Sequence, residues 1–572
     1  MIRRLLIANR GEIAVRIIRA CRELGIESVA VYSGADERAP HALLADRALP
    51  IGPAPAIQSY LSIPAIVEAA RQSKADAVHP GYGFLSENAA FAQACVDAGL
   101  TFVGPPADVI ARMGSKIEAR RLMQHAGVPV VPGDTPDDQS DDGIKNAIDR
   151  VGLPVLVKAS AGGGGKGMRH VRDVSEIVEA IQAARREALA AFGDGTLYVE
   201  RLVERPHHVE VQVFGDHQGH VVHLFERECS VQRRHQKVIE ESPSPVLTSA
   251  LRARMTGAAV TAARAVAYRN AGTIEFLVDV SGGGGDHAPF YFLEMNTRLQ
   301  VEHPVTEQVT GFDLVRAQLL VASGDPLPWT QDEIGQRGHA IEARIYAEDP
   351  ASGFLPQAGP LLMYREPHWP GVRVDSGVAE GGEVSVYYDP LMAKVIAAAE
   401  TRELATARLI AALREFTIAG VRTNVSFAAR VLASRAFRDG SIDTAFLDRE
   451  GEAIAGTIDN QSAIRNPQSS MPSLDPWDGE ARTVRAARPD VPTRRRSARA
   501  TAGQTLAAPM PATVIKIHVK PGDAVKKGDT VLVLEAMKME LPIRAPADAT
   551  IGAVCCREGE LVSADATLVE FA

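Results

Sequence analysis

Cysteine is scarce and poorly placed for a structural role: Cys21, Cys95, Cys229, Cys555 and Cys556 are the five among 572 residues. None forms a Cys-x-x-Cys pair and the count is odd, which fits a reducing compartment and argues against a structural zinc site. Excess positive charge is also missing. Lys and Arg number 62 against 71 Asp and Glu, a net charge of −9, which argues against non-specific binding to nucleic acid or an anionic membrane. No run is long and apolar enough to span a bilayer. The stretch MIRRLLIANRGEIAVRII begins like an export signal, but Asn9-Arg-Gly-Glu12 breaks its apolar core, so no export and a cytoplasmic location are expected. What is there is ordinary globular composition, 46% hydrophobic and 23% charged, on a chain long enough for several domains.

The most informative stretch is Glu294-Met-Asn-Thr-Arg-Leu-Gln-Val-Glu302. Read with period two, Glu294, Asn296, Arg298, Gln300 and Glu302 share one face, and Met295, Thr297, Leu299 and Val301 share the other. A solvated edge strand would favour Lys, Thr and Ser over two amides and an unopposed Arg. The approach Phe290-Tyr-Phe-Leu293 is apolar and implies burial. A second acidic strand, Gly272 to Val278, allows a hairpin that brings Glu275 beside Glu294. Paired carboxylates with an Asn suit Mg²⁺ on phosphates. Arg298 with Gln300 and Glu302 suits a small planar anion.

The first hundred residues alternate strands (Leu5–Ala8, Ser28–Tyr32, Ala75–His79) with a helix from about Glu12 to Leu24, striped by Ile13, Ile17, Cys21 and Leu24. That predicts a parallel α/β layer. Gly81-x-Gly83-x-x-Ser86 lacks the third Gly of a dinucleotide fingerprint and reads as a tight turn, with Tyr82 facing a ligand at a strand end. Further on, Val155-Leu-Val-Lys158 leads into Gly162, Gly163, Gly164 and Gly165, then Lys166 and Gly167. A run of bare backbone N–H groups flanked by two Lys can wrap phosphate oxygens, although the spacing is not that of a Walker A loop. A second run, Gly282–Gly285, has no Lys nearby and reads as a hairpin excursion without chemistry. Glu228 to Lys237 is a dense polar and basic segment between strands, favoured for anion or nucleotide contact.

These pieces, in this order, resemble the biotin carboxylases of the ATP-grasp superfamily. MIRRLLIANRGEIAVRIIRAC, HPGYGFLSEN, RRHQKVIEESP and EMNTRLQVEHPVTE look like that family's signatures, and the likeness runs to about residue 448. It implies an α/β and α+β multidomain fold: an N-terminal α/β subdomain (1–114), an ATP-grasp domain (115–334) with a lid at about 131–202, and a β-rich C-terminal subdomain (335–448). Carried over by resemblance, Lys116, Lys158, the Gly162–Gly167 loop with Lys166, Glu200, His208, Gln232 and His235 contact ATP. Glu275, Glu294 and Asn296 hold Mg²⁺ or Mn²⁺. Lys237, Arg298, Gln300, Val301 and Glu302 bind bicarbonate, with Glu302 the general base. Arg344 stabilises the biotin enolate, and Tyr82 and Asp389 lie near biotin. The implied reaction makes carboxyphosphate from ATP and bicarbonate, then carboxylates biotin.

The other end supplies an acceptor. Residues 509–534 and 546–571 align without a gap at an offset of 37 positions, pairing Pro509 with Pro546, Gly522 with Gly559 and Thr530 with Thr567. Such a repeat of short alternating strands predicts a small flattened β-barrel (504–572). Between the halves, Glu535-Ala-Met-Lys538-Met-Glu540 resembles the site of biotinyl domains, which implies biotin on Lys538 and a biotin protein ligase to attach it. Residues 449–503, rich in Ala, Pro, Arg, Ser and Asp, read as a flexible linker. Nothing resembles a carboxyltransferase, so the likeness implies an acyl-CoA carboxylase α subunit with a separate β subunit, as a homo-oligomer or α/β hetero-oligomer. Relatives acting on methylcrotonyl- or propionyl-CoA commonly carry an extra β-binding domain, for which this linker is short, so an acetyl/propionyl-type α subunit without that domain is expected, with the α subunit of a methylcrotonyl-CoA or another acyl-CoA carboxylase as the alternative.

Overall fold

The computed structural model describes residues 1–160, 167–234, 236–456, 505–537 and 539–572. They form two units, Met1–Ala455 and Gly456–Ala572. In the first, β1 (Arg4–Ile7), β2 (Glu27–Tyr32), β3 (Arg47–Pro50), β4 (Ala77–His79) and β5 (Thr101–Phe102) make a parallel sheet in the order β3-β2-β1-β4-β5. The expected helix is present as Gly11–Leu24; it buries Ile13, Ile17 and Cys21 and stops at Gly25, whose φ of 68° ends it with a left-handed cap. Strand order reverses between β1 and β4, where α/β sheets open a crevice for ligands. There Asn9 Nδ2 donates to the carbonyls of Pro80 and Tyr82, both at 2.7 Å. Gly81 has φ 62° and a Cβ would lie 2.9 Å from that amide, so the glycine serves a tight turn, as expected.

A small antiparallel sheet follows: β6 (Gly133–Asp134), β7 (Val155–Ala159), β8 (Met168–Val171) and β9 (Leu197–Arg201), ordered β6-β9-β7-β8. With the helices Asp141–Val151 and Ile177–Phe192 it has its own core, including Ile144, Ile148, Val157, Ile181 and Val199. That self-contained packing covers the stretch expected as a lid.

The site rests on one eight-stranded sheet. Its strands are β10 (His207–Gly215), β11 (Val221–Arg233), β12 (Gln236–Ser242), β13 (Asn270–Val278), β14 (Phe290–Asn296), β15 (His339–Tyr346), β16 (Val372–Ser376) and β17 (Leu391–Ala399), ordered β14-β13-β10-β11-β12-β15-β17-β16. Every neighbouring pair is antiparallel. The expected boundary near residue 335 is therefore crossed by continuous hydrogen bonding from β12 to β15. Alternation sorts the faces: Val209, Val211 and Val213 of β10 join Leu251 and Met255 of the helix Ser249–Ala265 in one core. His208, Glu210 and Gln212 are left on the opposite face. The expected linker begins late, since helix Phe446–Gly456 runs past residue 449, anchored by buried Phe446 and Leu447.

In the second unit the expected repeat is realised strand by strand. Its strands are β18 (Thr505–Ala507), β19 (Ala512–Ile517), β20 (Ala524–Val525), β21 (Thr530–Ala536), β22 (Met539–Arg544), β23 (Ala549–Val554), β24 (Leu561–Val562) and β25 (Thr567–Phe571). They form two four-stranded sheets, β18-β25-β23-β20 and β22-β21-β19-β24. Strands β19 and β23 fall at equivalent repeat positions on different sheets, which is the pseudo-twofold arrangement. No helix among the described residues is long and apolar enough to cross a membrane.

Candidate functional site

Strand register brings the acids together. Glu275 on β13 faces Glu294 on β14 and Glu210 on β10. The nine positions from Glu294 do not lie flat, however. Strand β14 ends at Asn296, and Glu302 is the N-cap of the helix His303–Thr310 with φ −81° and ψ 9°. The cause is packing: Met295 sits in the core beneath β13, whereas Leu299 is buried in the core built around the N-terminal helix. One straight strand cannot serve both cores, so the chain bends at Thr297. The polar groups still converge. Arg298 donates to Asn296 Oδ1 (3.0 Å) and Gln300 Oε1 (2.7 Å), and Gln300 Nε2 lies 3.4 Å from Glu275 Oε1.

Lys237, on β12, is the hub. Its Nζ donates to Glu210 Oε2 (2.6 Å), Glu275 Oε1 (3.0 Å) and Glu302 Oε1 (2.6 Å). Burial disfavours its charge, but the surrounding carboxylates outweigh burial and raise its pKa well above the usual lysine range. Burial likewise pushes Glu302 up, and Lys237, Arg344 and Arg227 overcome it and hold the carboxyl well below its ordinary value. Glu275 behaves the same way through Lys237 and His208, whose Nε2 is 2.8 Å from Glu275 Oε2. Glu294 goes the other way: burial raises it, and so does Glu275 opposite. Two register-opposed carboxylates, one short of positive charge, are hard-oxygen donors that fit Mg²⁺ or Mn²⁺. Asn296 sits beside them with its Nδ2 donating to Glu275 Oε1 at 2.8 Å and its Oδ1 turned to Arg298.

Beyond the hub, Arg344 Nη2 lies 3.0 Å from Glu302 Oε2, and its Nε lies 2.5 Å from Glu240 Oε1. The Val301 carbonyl accepts from Lys394 Nζ at 2.6 Å. Tyr82 donates to Glu12, which lies 3.4 Å from Lys394 Nζ. Asp389 is exposed and caps the turn before Leu391 at 3.0 Å. Its charge is felt by Tyr346, which accepts from Arg344, so it lies near the arginine without touching it.

Among the residues expected to meet ATP, Lys158 Nζ lies 2.5 Å from Glu200 Oε2, and Arg120 Nη1 lies 2.7 Å from Glu200 Oε1. Burial opposes the Lys158 charge, and Glu200 outweighs it. Lys116 opens the helix Lys116–His125, where burial lowers its pKa and Glu294 works against that. Gln232 faces Lys237 across the β11–β12 hairpin. Gly167 has φ 73°. Gly162, Gly163, Gly164, Gly165, Lys166 and His235 lie outside the described residues, as do Lys538 and most of the expected linker. Around Lys538 the structure is nonetheless informative. Ala536 pairs with Met539, and Met537 has φ 50°, a conformation costly for a side chain of that kind.

Several members of the cluster were missed from sequence. Glu210 follows from the alternation that puts His208 on the site face. Arg227, buried completely, donates to Glu210 (2.5 Å), Gln212 (2.8 Å) and Thr306 (3.0 Å). Glu87, in the N-terminal subdomain, accepts from Arg298 Nε at 2.8 Å and from the Thr297 N–H at 3.0 Å. No local pattern announces Arg227 or Glu87.

Comparison with known proteins follows the same order along the chain. Residues 1–110 match the biotin carboxylase N-terminal domain, 115–330 the carbamoyl-phosphate synthase L chain ATP binding domain, 342–449 the biotin carboxylase C-terminal domain and 504–571 the biotin-requiring enzyme domain. The rat mitochondrial methylcrotonoyl-CoA carboxylase subunit alpha is 41% identical over 673 residues, covering 100% of this chain and 93% of that protein. Its soybean counterpart is 51% identical over 464 residues, 81% of this chain but only 63% of the relative's length. Among solved structures, the biotin carboxylase domain dimer of Hydrogenobacter thermophilus 2-oxoglutarate carboxylase, with MgADP, ADP and bicarbonate, is similar at TM-score 0.75 and 43% identity, covering 79% of this chain and 99% of that one.

Proposed function

The chain belongs to the biotin-dependent carboxylases, as a biotin carboxylase with a biotinyl carrier domain in the same polypeptide, and from that premise we propose how its residues divide the work. The observation that carries the reading is the three-carboxylate grip on Lys237 beside Arg298 and Arg344. Bicarbonate is a poor nucleophile until it loses its proton. Glu302 is the base; Lys237, Arg298, Gln300 and the Val301 backbone hold the anion beside it. Glu302 is a weak base while Lys237 and Arg344 hold it ionised at 2.6 and 3.0 Å. An entering anion that draws those cations onto itself raises the basicity of Glu302 at the moment it is needed.

ATP is held by Lys116, Lys158, Glu200, His208, Gln232, His235 and the Gly162–Gly167 loop with Lys166. A divalent ion held by Glu275, Glu294 and Asn296 supplies charge neutralisation at the phosphates. The self-contained unit at 133–201 is suited to move as a lid and exclude water from carboxyphosphate. Arg344 stabilises negative charge on the ureido oxygen of biotin, with Tyr82 and Asp389 bordering that end of the pocket. Biotin borne on Lys538, placed there by a biotin protein ligase, supplies the nitrogen that takes the carboxyl group.

As an α subunit the chain hands that group to a separate carboxyltransferase β subunit acting on an acyl-CoA, in a cytoplasmic, reducing setting. The acyl group is open between two readings. Names of the relatives favour methylcrotonoyl-CoA. The rat alignment occupies 673 positions against 572 residues here, so that relative has on the order of a hundred residues with no counterpart in this chain. That shortfall favours the acetyl/propionyl type. Bicarbonate-dependent ATP hydrolysis stimulated by free biotin tests the catalytic assignment; a carrier-only scaffold gives none. Copurifying the β subunit and assaying acetyl-, propionyl- and methylcrotonoyl-CoA decides the substrate.

A further inference from the structure

Behind Arg344 lies a second pair of acids that the reaction scheme does not use. Glu240 on β12 and Glu342 on β15 face each other directly in the antiparallel register, and both are fully buried. Directly opposed residues have Cβ atoms about 5 Å apart on the same face of a sheet. Glu240 Oε1 accepts from Arg344 Nε at 2.5 Å. The remaining three oxygens, Glu240 Oε2 and both of Glu342, are buried without a donor among the described residues. A buried carboxylate without a donor forfeits its hydration for nothing, and two facing each other also repel. One proton ends the repulsion and gives the idle oxygen of Glu240 a donor, the carboxyl O–H of Glu342, and leaves only a neutral carbonyl oxygen on Glu342 without one.

The described residues do not offer an alternative: Lys237, on the same strand as Glu240 and acting on it, gives its Nζ to Glu210, Glu275 and Glu302. Lys394, on the neighbouring strand β17 and diagonal to Glu342, is fully buried, but its Nζ is directed to the Val301 carbonyl at 2.6 Å and to Glu12 at 3.4 Å. Arg344 on the same strand as Glu342 is taken by Glu240 and Glu302. Glu302 and His303, at the start of the helix packed against β15, bring one further negative charge and a ring held neutral by burial. Consistently, burial raises Glu342 well above the carboxylate range, Lys394 opposing and Glu240 adding to it, and burial pushes Glu240 up to about 7 against Arg344.

We propose that Glu240 and Glu342 share a single proton, with Glu342 the neutral partner, and that Glu342 is thereby a positioning residue for Arg344. The proton lets Glu240 Oε1 fix the guanidinium while sparing it a third adjacent negative charge. Arg344 already balances Glu240 and Glu302; a further anion behind it would consume the field that a developing ureido oxyanion requires. The positioning half rests on the role proposed for Arg344; the shared proton does not.

The test uses the full-length biotinylated protein. Infrared difference spectra of wild type against Glu342→Gln at neutral pH are expected to show the carbonyl stretch of a protonated carboxyl in wild type and its loss in the variant. Gln mimics the neutral acid, so the KM for free biotin in bicarbonate-dependent ATP hydrolysis stays within about twofold. Glu240→Gln removes the anionic partner of Arg344, turns Glu342 into the anion, abolishes the band and raises that KM about tenfold with a smaller change in kcat. A band that persists in Glu342→Gln overturns the shared proton. An unmoved biotin KM in Glu240→Gln, with the band lost as expected, overturns the positioning role together with the assignment of Arg344. Should Glu342→Gln fail to fold, Glu240→Gln decides the first point alone: the band vanishes if the proton is shared and persists if burial of Glu342 holds it unaided.

Discussion

Lys237 Nζ and Glu302 Oε1 are 2.6 Å apart although 65 positions separate them in the chain. The contact exists because β12 carries the lysine into the sheet and the bend after Asn296 turns the helix His303–Thr310 back over it. It joins the cation proposed to hold bicarbonate to the base proposed for it, and each keeps the other charged.

Lys237→Met removes the shared cation from Glu210, Glu275 and Glu302. Bicarbonate-dependent ATP hydrolysis is expected to fall about 100-fold or more. The variant is also expected to melt earlier than wild type, and added Mg²⁺ to recover more of the lost melting temperature than it adds to wild type. Steady-state rates and thermal scans with and without Mg²⁺ measure both. Wild-type stability without Mg²⁺ would contradict the hub.

Glu87→Gln loosens Arg298, and on the nucleotide side it reaches Glu294 only through its charge, which it no longer adds there. The KM for bicarbonate should rise several-fold, since a charge-assisted hydrogen bond is worth about 1.5–3 kcal/mol and water replaces part of it at this half-exposed site. The KM for ATP should stay put. Varying each substrate separately gives the answer, and a parallel rise in both constants would count against Glu87 acting through Arg298.

Acid sensitivity follows from a network that ties the N-terminal helix to the large sheet. Arg16 and Arg373 grip Glu307 at 3.0 and 2.7 Å, and Arg373 grips Asp375 at 2.6 Å. Burial raises Glu307 and Asp375, but the arginines outweigh it and both carboxyls end below their ordinary values. Depressed carboxylates contribute stability above the unfolded pKa, near 4, and lose it as pH falls through the lower folded values. Arg373→Met should therefore cost about 2 kcal/mol at neutral pH, discounted for its partial exposure, and progressively less below about pH 4. Denaturant midpoints across that range test the sign; a constant difference would be wrong for this mechanism.

Streptavidin should recognise the protein isolated from cells, and Lys538→Ala should abolish that recognition. Blotting of the two proteins expressed at equal level is sufficient. Retained recognition would move the biotin elsewhere.

Much of this was legible before any coordinates. The alternation from Glu294 named the polar face, because a strand's side-chain period is two whatever the fold. The offset of 37 positions named the carrier's symmetry, and strands β19 and β23 start at Ala512 and Ala549 accordingly. The glycine turn at Gly81 was readable because positive φ excludes most other residues.

What the chain alone could not announce is where alternation stops. Period two continues in the letters to Glu302, yet Met295 and Leu299 are claimed by different cores, and only the packed structure shows that the strand must end between them. Glu87, Arg227, Glu240 and Lys394 are likewise invisible locally, since each reaches its partner through pairing or packing across many residues. Residue type determined what chemistry the face could carry; strand register and competing hydrophobic anchors decided which charges meet, because burial is a property of the assembled core and not of any one segment.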